Sequence, residues 1–218
     1  RIEKVFAALP RLVGRKFQPT QVDRGEQGRG LKEAFRLLAM ARVVTPVRRT
    51  AANAVPLGAE VDERYEKVCL LDVGLFATMS GIDAASLPGD AELRFANHGQ
   101  LAEQFVGQEL RACRPFDQEP ALFTWVREAK NSNAEVDYVL QVGPRVVPVE
   151  VKAGAPGRLR SLHVMIAEKG LDLGVRVGPG PLQVRDTTTA AAPKRAFRLL
   201  SVPFAMASEI PRLVRALG

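Results

Sequence analysis

The chain has 218 residues, 46% of them hydrophobic and 25% charged, with a formal net charge of +7. That length and composition exclude a disordered chain or a stapled miniprotein and allow one large domain, or a core domain with a smaller companion. The longest apolar stretch, Val68–Ile82, is broken by Asp72 and two glycines and falls short of the ~20 residues a membrane helix needs, so no membrane span is expected.

The N-terminus shows no basic-then-apolar export pattern, and Cys69 and Cys113 have no metal-like spacing. Both cysteines are expected to be reduced, buried and part of a cytoplasmic protein. The chain opens on Arg1 inside a helix-like pattern, as a fragment of a longer protein would. Residues 1–60 hold 12 Lys/Arg against 5 Asp/Glu, while the rest of the chain is balanced. A basic module beside a neutral one fits contact with nucleic acid, because clustered Lys/Arg release phosphate counterions. A solvated or partner-facing surface would show the same charge.

In chain order, Ile2–Leu9 and Leu31–Val44 read as amphipathic helices, the second with Leu31, Ala34, Phe35, Leu38 and Ala41 at helical spacing. Polar, Gly-rich Asp23–Gly30 reads as a loop. Val43, Val44 and Val47 follow, then a Pro/Ala loop to Leu57, a short strand at Lys67–Leu71 and a helix at Val73–Met79. Helices followed by a small strand pair predict a winged-helix-like domain over 1–82. Residues 83–98, with Pro88-Gly89, read as a linker.

Over 99–218 the pattern gives a helix at Gly99–Cys113 and strands at Ala121–Val126, Glu135–Leu140 and Arg145–Lys152, the last two joined at Gly143-Pro144. A helix at Arg158–Ala167 and a strand from Leu171 to Val177 complete the order helix, three strands, helix, strand. This predicts an α/β domain with helices packed on a sheet. Thr187–Ala192 reads as a loop before a final strand at Phe197–Val202 and a C-terminal helix.

The segment AEVDYVLQVGPRVVPVEVKAG carries charges where a buried hairpin would carry valines. Side chains alternate along a strand, so Val147, Val149 and Val151 share one face and Glu150 and Lys152 the other. In the preceding strand Val136, Tyr138 and Leu140 share a face, with Glu135, Asp137 and Val139 opposite. If the polar faces coincide, Asp137, Glu150 and Lys152 converge. Carboxylates brought together resist desolvation at several kcal/mol per buried ion, and a divalent cation compensates. Hard oxygen ligands suit Mg²⁺ or Mn²⁺, whose chemistry beside a lysine fits phosphodiester hydrolysis. The competing reading is a solvent-facing hairpin with a surface pair worth ~0–1 kcal/mol. Glu103 shares a helix stripe with Val106 and Leu110, which points it at the sheet as a further metal or water ligand, or at a solvated edge.

This arrangement, a helix with Glu103, a strand with Asp137 and a strand carrying Glu150-x-Lys152, resembles the core of the PD-(D/E)XK, or restriction-endonuclease-like, superfamily. The segments LAEQFVGQEL, TWVREAKNSNAEVDYVL and VVPVEVKAG look like the C-terminal domain of unknown function found behind many prokaryotic AAA-type ATPases. EKVFAALP, LKEAFRLLAMARVVTPV and VCLLDVGLFATMSGI look like the helical, winged-helix-like part of that family. The resemblance implies a metal-binding aspartate at Asp137, a second metal carboxylate at Glu150, a catalytic lysine at Lys152, a helix glutamate at Glu103, Mg²⁺ or Mn²⁺ as cofactor, and nucleic acid and an N-terminal ATPase module as partners. The sequence holds no Gly-x-x-x-x-Gly-Lys-Ser/Thr phosphate loop, so ATP hydrolysis is not expected of it.

The leading expectation is therefore a divalent-metal-dependent nuclease domain. Its alternatives are a catalytically silent accessory module that binds nucleic acid or protein, and a purely structural domain. His98, His163, Arg127, Lys130 and Asn131 read as cap, packing or surface residues, and Trp125 as core. Pro148 conflicts with a central strand, because proline offers no ladder donor.

Overall fold

The structure is a computed structural model that describes residues 1–82, 99–114, 117–118, 121–128, 133–154 and 159–218. The chain begins with helices α1 (Ile2–Leu12), α2 (Pro19–Val22) and α3 (Gly28–Met40), then strand β1 (Val44–Thr50), a 3-10 turn at Leu57–Glu60, strand β2 (Val61–Leu70) and helix α4 (Val73–Met79). Helix α5 (Gly99–Ala112) precedes β3 (Leu122–Val126), β4 (Glu135–Val142) and β5 (Arg145–Val151). Helix α6 (Arg160–Lys169), β6 (Leu173–Val177), β7 (Gln183–Thr188), β8 (Ala196–Val202), a 3-10 segment at Phe204–Glu209 and α7 (Ile210–Ala216) complete it.

All eight strands form one mixed sheet in the order β2-β1-β3-β4-β5-β6-β8-β7. The fold is therefore mixed α/β. Antiparallel β2–β1 joins the rest where β1 runs parallel to β3, Val47 opposite Leu122. The strand pair expected for an N-terminal unit is thus one edge of the common sheet, and residues 83–98, read as a linker, lie outside the described residues. Helices α5 and α7 cover one face through Ala102, Val106, Leu110, Ile210 and Val214. On the other face α6 contributes Leu162, Met165 and Ile166. Helices α1, α3 and α4 build a separate cluster against Val44, Val68 and Leu70 at the β1–β2 end.

Several local readings change. Helix α3 stops at Met40 rather than Val44, because Arg42 takes a left-handed φ of 59° and the β-branched Val43 and Val44 lead into β1. Strand β2 runs ten residues, far beyond Lys67–Leu71. Thr187 and Thr188, read as loop, close edge strand β7, which is almost wholly exposed and so lacks the apolar alternation that marks a strand in sequence. Cys69 is buried, but Cys113 is only half-buried.

Pro148 is compatible with its central position. The two-residue turn makes Val142 and Arg145 a hydrogen-bonded pair, and alternation then makes Val139 and Pro148 a non-bonded one. The proline nitrogen therefore faces β6, whose pairing with β5 starts only at Val149 and Val175. Among the described residues, no helix is long and apolar enough to cross a membrane.

Candidate functional site

The candidate site forms where β4 and β5 part. Their pairing ends at Tyr138 opposite Val149; beyond it β4 continues beside β3 and β5 beside β6. The parting leaves the Val151 N–H without a strand partner, and it donates to Asp137 Oδ2 at 2.7 Å. Asp137 thus fills the gap between the strands.

A bulge in β4 sets which way its side chains face. Between the β3 pairs Phe123–Val139 and Trp125–Val136, β4 takes three steps to its neighbour's two. Val136 and Val139 consequently pack with Met165 of α6, while Tyr138 joins the core under α5. Simple alternation, which put Val136 and Tyr138 on one face and Val139 on the other, fails here because the extra residue resets it. The Thr124 hydroxyl donates to the Val136 carbonyl at 2.7 Å beside the bulge.

Helix α5 is fastened over this end of the sheet by three glutamines one turn apart. Gln100 Nε2 donates to the Val13 carbonyl, Gln104 exchanges two hydrogen bonds with the Leu70 backbone, and Gln108 Oε1 accepts from Val73 N–H. The Tyr138 hydroxyl donates to the Glu103 carbonyl at 2.8 Å, beneath Gly107. Gly14, at φ 69°, lies so close that a Cβ there would stand 2.7 Å from Glu103 Oε2.

These constraints set Glu103 against a residue that sequence reasoning passed over. Lys67 of β2, 1% exposed, donates to Glu103 Oε1 at 2.6 Å and Glu135 Oε1 at 2.8 Å. Tyr65 donates its hydroxyl to the other oxygen of Glu135 at 3.2 Å. Burial alone would lower the Lys67 pKa; the charges of Glu103, Asp137 and Glu135 outweigh it and raise it, so the side chain is an ammonium. The signal for Lys67 in sequence is faint, since its partners lie 36 and 68 residues away.

Glu150 is 4% exposed. Its Oε1 accepts from Lys152 Nζ at 2.7 Å, and its Oε2 is buried with no hydrogen-bond partner. Burial, then the charge of Asp137, pushes its carboxyl up to about 7 against the opposing Lys152. Burial likewise raises Asp137, with Lys67 and the Val151 N–H opposing, and pushes Glu103 to about 7 against Lys67. Of these three carboxyls, Asp137 and Glu150, the latter with an orphaned buried oxygen, are a donor set a hard cation fits. Among the described residues, however, no three His, Cys, Asp or Glu side chains converge as a metal-holding group. The charge of Asp137 raises both Glu150 and Glu103, and Glu103 is in addition paired with Lys67.

The remaining candidates lie elsewhere. Arg127 pairs with Glu168 at 2.8 Å, His163 Nδ1 accepts from Ala190 N–H, and Trp125 is core. His98, Lys130 and Asn131 lie outside the described residues. Much of the basic N-terminal charge is paired, as in Lys4 with Asp23 and Glu26 and Arg49 with Asp62 and Glu128. A cleft of about 890 Å³ between α3, β1 and the end of α5 is lined by Arg36, Arg42, Arg48, Arg111 and Arg114, of which Arg36 pairs with Glu33 at 2.8 Å and Arg48 with Glu66 at 3.8 Å.

Fold and site together define a mixed α/β protein with a buried carboxylate–lysine cluster at a strand divergence. Residues 98–196 match the family model described as domain of unknown function DUF4143, and residues 1–86 match that of a second domain of unknown function, DUF8612. No curated protein and no solved structure matches the chain.

Proposed function

We propose that the chain carries a divalent-metal-dependent nuclease site of the PD-(D/E)XK kind, in a domain that works beside an ATPase module in the cytoplasm. The observation that carries this reading is the buried Glu150 carboxylate, with one oxygen on Lys152 and the other unpartnered, next to Asp137 where β4 and β5 part. A purely structural hairpin gains nothing from burying such a group, because an unsatisfied acceptor costs about 1–3 kcal/mol and more when charged.

Asp137 and Glu150 are the residues that would hold Mg²⁺ or Mn²⁺. When bound, such an ion supplies an acidified water and neutralises charge developing on a phosphodiester. Asp137 is held in place by the Val151 N–H. Lys152, 29% exposed along its side chain, reaches from Glu150 toward solvent, where its ammonium meets an approaching phosphate and orients the attacking water. The arginine-lined cleft supports nucleic acid as the substrate class, since phosphates are recognised by such clusters irrespective of sequence.

A silent accessory module is the second reading, favoured by one observation: Lys67 already neutralises Glu103 and Glu135, so part of the cluster needs no metal. Calorimetry with Mg²⁺ and Mn²⁺ and cleavage assays on single- and double-stranded DNA and RNA separate the two. The nuclease reading expects binding that Asp137→Ala and Glu150→Ala abolish, and cleavage that Lys152→Ala abolishes without loss of metal. Absence of metal binding in the unmutated protein sinks it; binding without cleavage leaves the accessory module.

A further inference from the structure

The cluster contains more cation than the metal reading uses. Lys67 is brought from β2, in the segment that matches one domain family, into contact with Glu103 and Glu135 from the segment that matches the other. It is completely enclosed, and the glutamine clamp of α5 holds β2 and the helix in the register that brings Lys67 and Glu103 together.

We propose that the Lys67 ammonium takes the place of a second divalent ion, so that the site binds one Mg²⁺ or Mn²⁺ through Asp137 and Glu150, with Glu103 a positioning residue rather than a ligand. This rests on the metal reading above. Lys67 Nζ lies between Glu103 Oε1 at 2.6 Å and Glu135 Oε1 at 2.8 Å, where a second cation shared by these two carboxylates would otherwise sit. Glu103 Oε1 is thus taken by Lys67, and its Oε2 lies beside Gly14, where a Cβ would stand 2.7 Å away. The carboxylate oxygen left without a partner belongs to Glu150.

The site is therefore completed by the N-terminal segment. Without Lys67, Glu103 and Glu135 would be partly buried carboxylates with no counter-charge, a situation that a cation from solvent relieves.

The test is the number of Mn²⁺ ions bound per 218-residue chain, read by electron paramagnetic resonance of free Mn²⁺, with circular dichroism to follow folding. The unmutated protein is expected to bind one ion, Glu150→Gln none, and Lys67→Met two. Glu103→Gln is expected to keep its one ion, in contrast to Glu150→Gln, which removes a ligand. Lys67→Met that folds only when Mn²⁺ is added also supports the proposal. Folded Lys67→Met with one ion at unchanged affinity overturns it, as does loss of the bound ion in Glu103→Gln. If Lys67→Met fails to fold even with Mn²⁺, the Glu103→Gln result decides. No ion in the unmutated protein removes the metal reading itself, an outcome distinct from one ion in both proteins.

Discussion

Replacing Glu150 by Gln tests whether its burial has the energetic consequence the structure implies. Its carboxyl titrates near the ordinary 4.5 in the unfolded chain and at about 7 in the folded one. Below pH 4.5 both states hold the proton. Between 4.5 and about 7 the unfolded chain releases it and the folded one keeps it, so rising pH favours unfolding, and above about 7 the loss is complete. At about 1.4 kcal/mol per pH unit this amounts to about 3 kcal/mol, and about 6–12 °C in thermal midpoint for a chain of this size. Thermal melts in a chelator from pH 4.5 to 8 read it directly. The unmutated protein should lose stability across that window, and Glu150→Gln should lose about 3 kcal/mol less. An unmutated midpoint that is flat or rises, or an unchanged slope in the variant, would refute the argument that Glu150 is held against its preference for ionisation.

Three other substitutions probe the surroundings. Gly107→Ala would drive a Cβ into the Tyr138 hydroxyl and to 3.0 Å from Cys69 Sγ, so melts should show a loss of about 1–3 kcal/mol, the usual cost of overpacking. Gly178→Ala would place a Cβ 2.5 Å from the Lys152 carbonyl; displacement of that backbone should weaken Mn²⁺ binding by about tenfold or more, as measured by calorimetry, and unchanged affinity would mean that the end of β5 does not set the site. Arg48→Gln, in the arginine-lined cleft, should weaken binding of any nucleic acid sequence and lower the salt slope by about one, checked by fluorescence anisotropy at several ionic strengths.

What was readable in the sequence follows periodicity. Val147, Val149 and Val151 alternate with the polar residues of β5, and all three lie in the core under α5. The spacing of Glu103 with Val106 and Leu110 correctly turns that helix stripe inward, since Glu103 meets the buried Lys67. The bulge in β4 was not readable, because nothing in Glu135–Val142 distinguishes a strand with one extra residue from a regular one. Strand β7 escaped because almost all its residues face solvent. Lys67 escaped because a lysine within YEKVCL reads as the wet side of a strand, and only the long-range return of α5 and β4 makes it the dry side. The glutamine clamp was hidden for the same reason: polar residues at turn spacing read as surface until their backbone partners are known.

The two lysines show how the two readings of the site divide. Lys67 offsets carboxylates that would otherwise be enclosed alone, and an enclosed, hydrogen-bonded pair of this kind serves a structural role without further help. Lys152 does not do the same for Glu150. It engages one oxygen only, remains partly in water, and leaves the carboxyl raised to about 7. Local packing would be better served by an apolar residue, as the flanking Val149 and Val151 are. Places where a chain keeps a group that opposes its own stability are those where a function is expected to account for it. On the proposed reading, that contrast makes the Lys67 side of the cluster structural and leaves the chemistry to Asp137, Glu150 and Lys152. It also makes the chelator melts decisive: a Glu150 that ionises freely would leave nothing in the site for a metal to relieve.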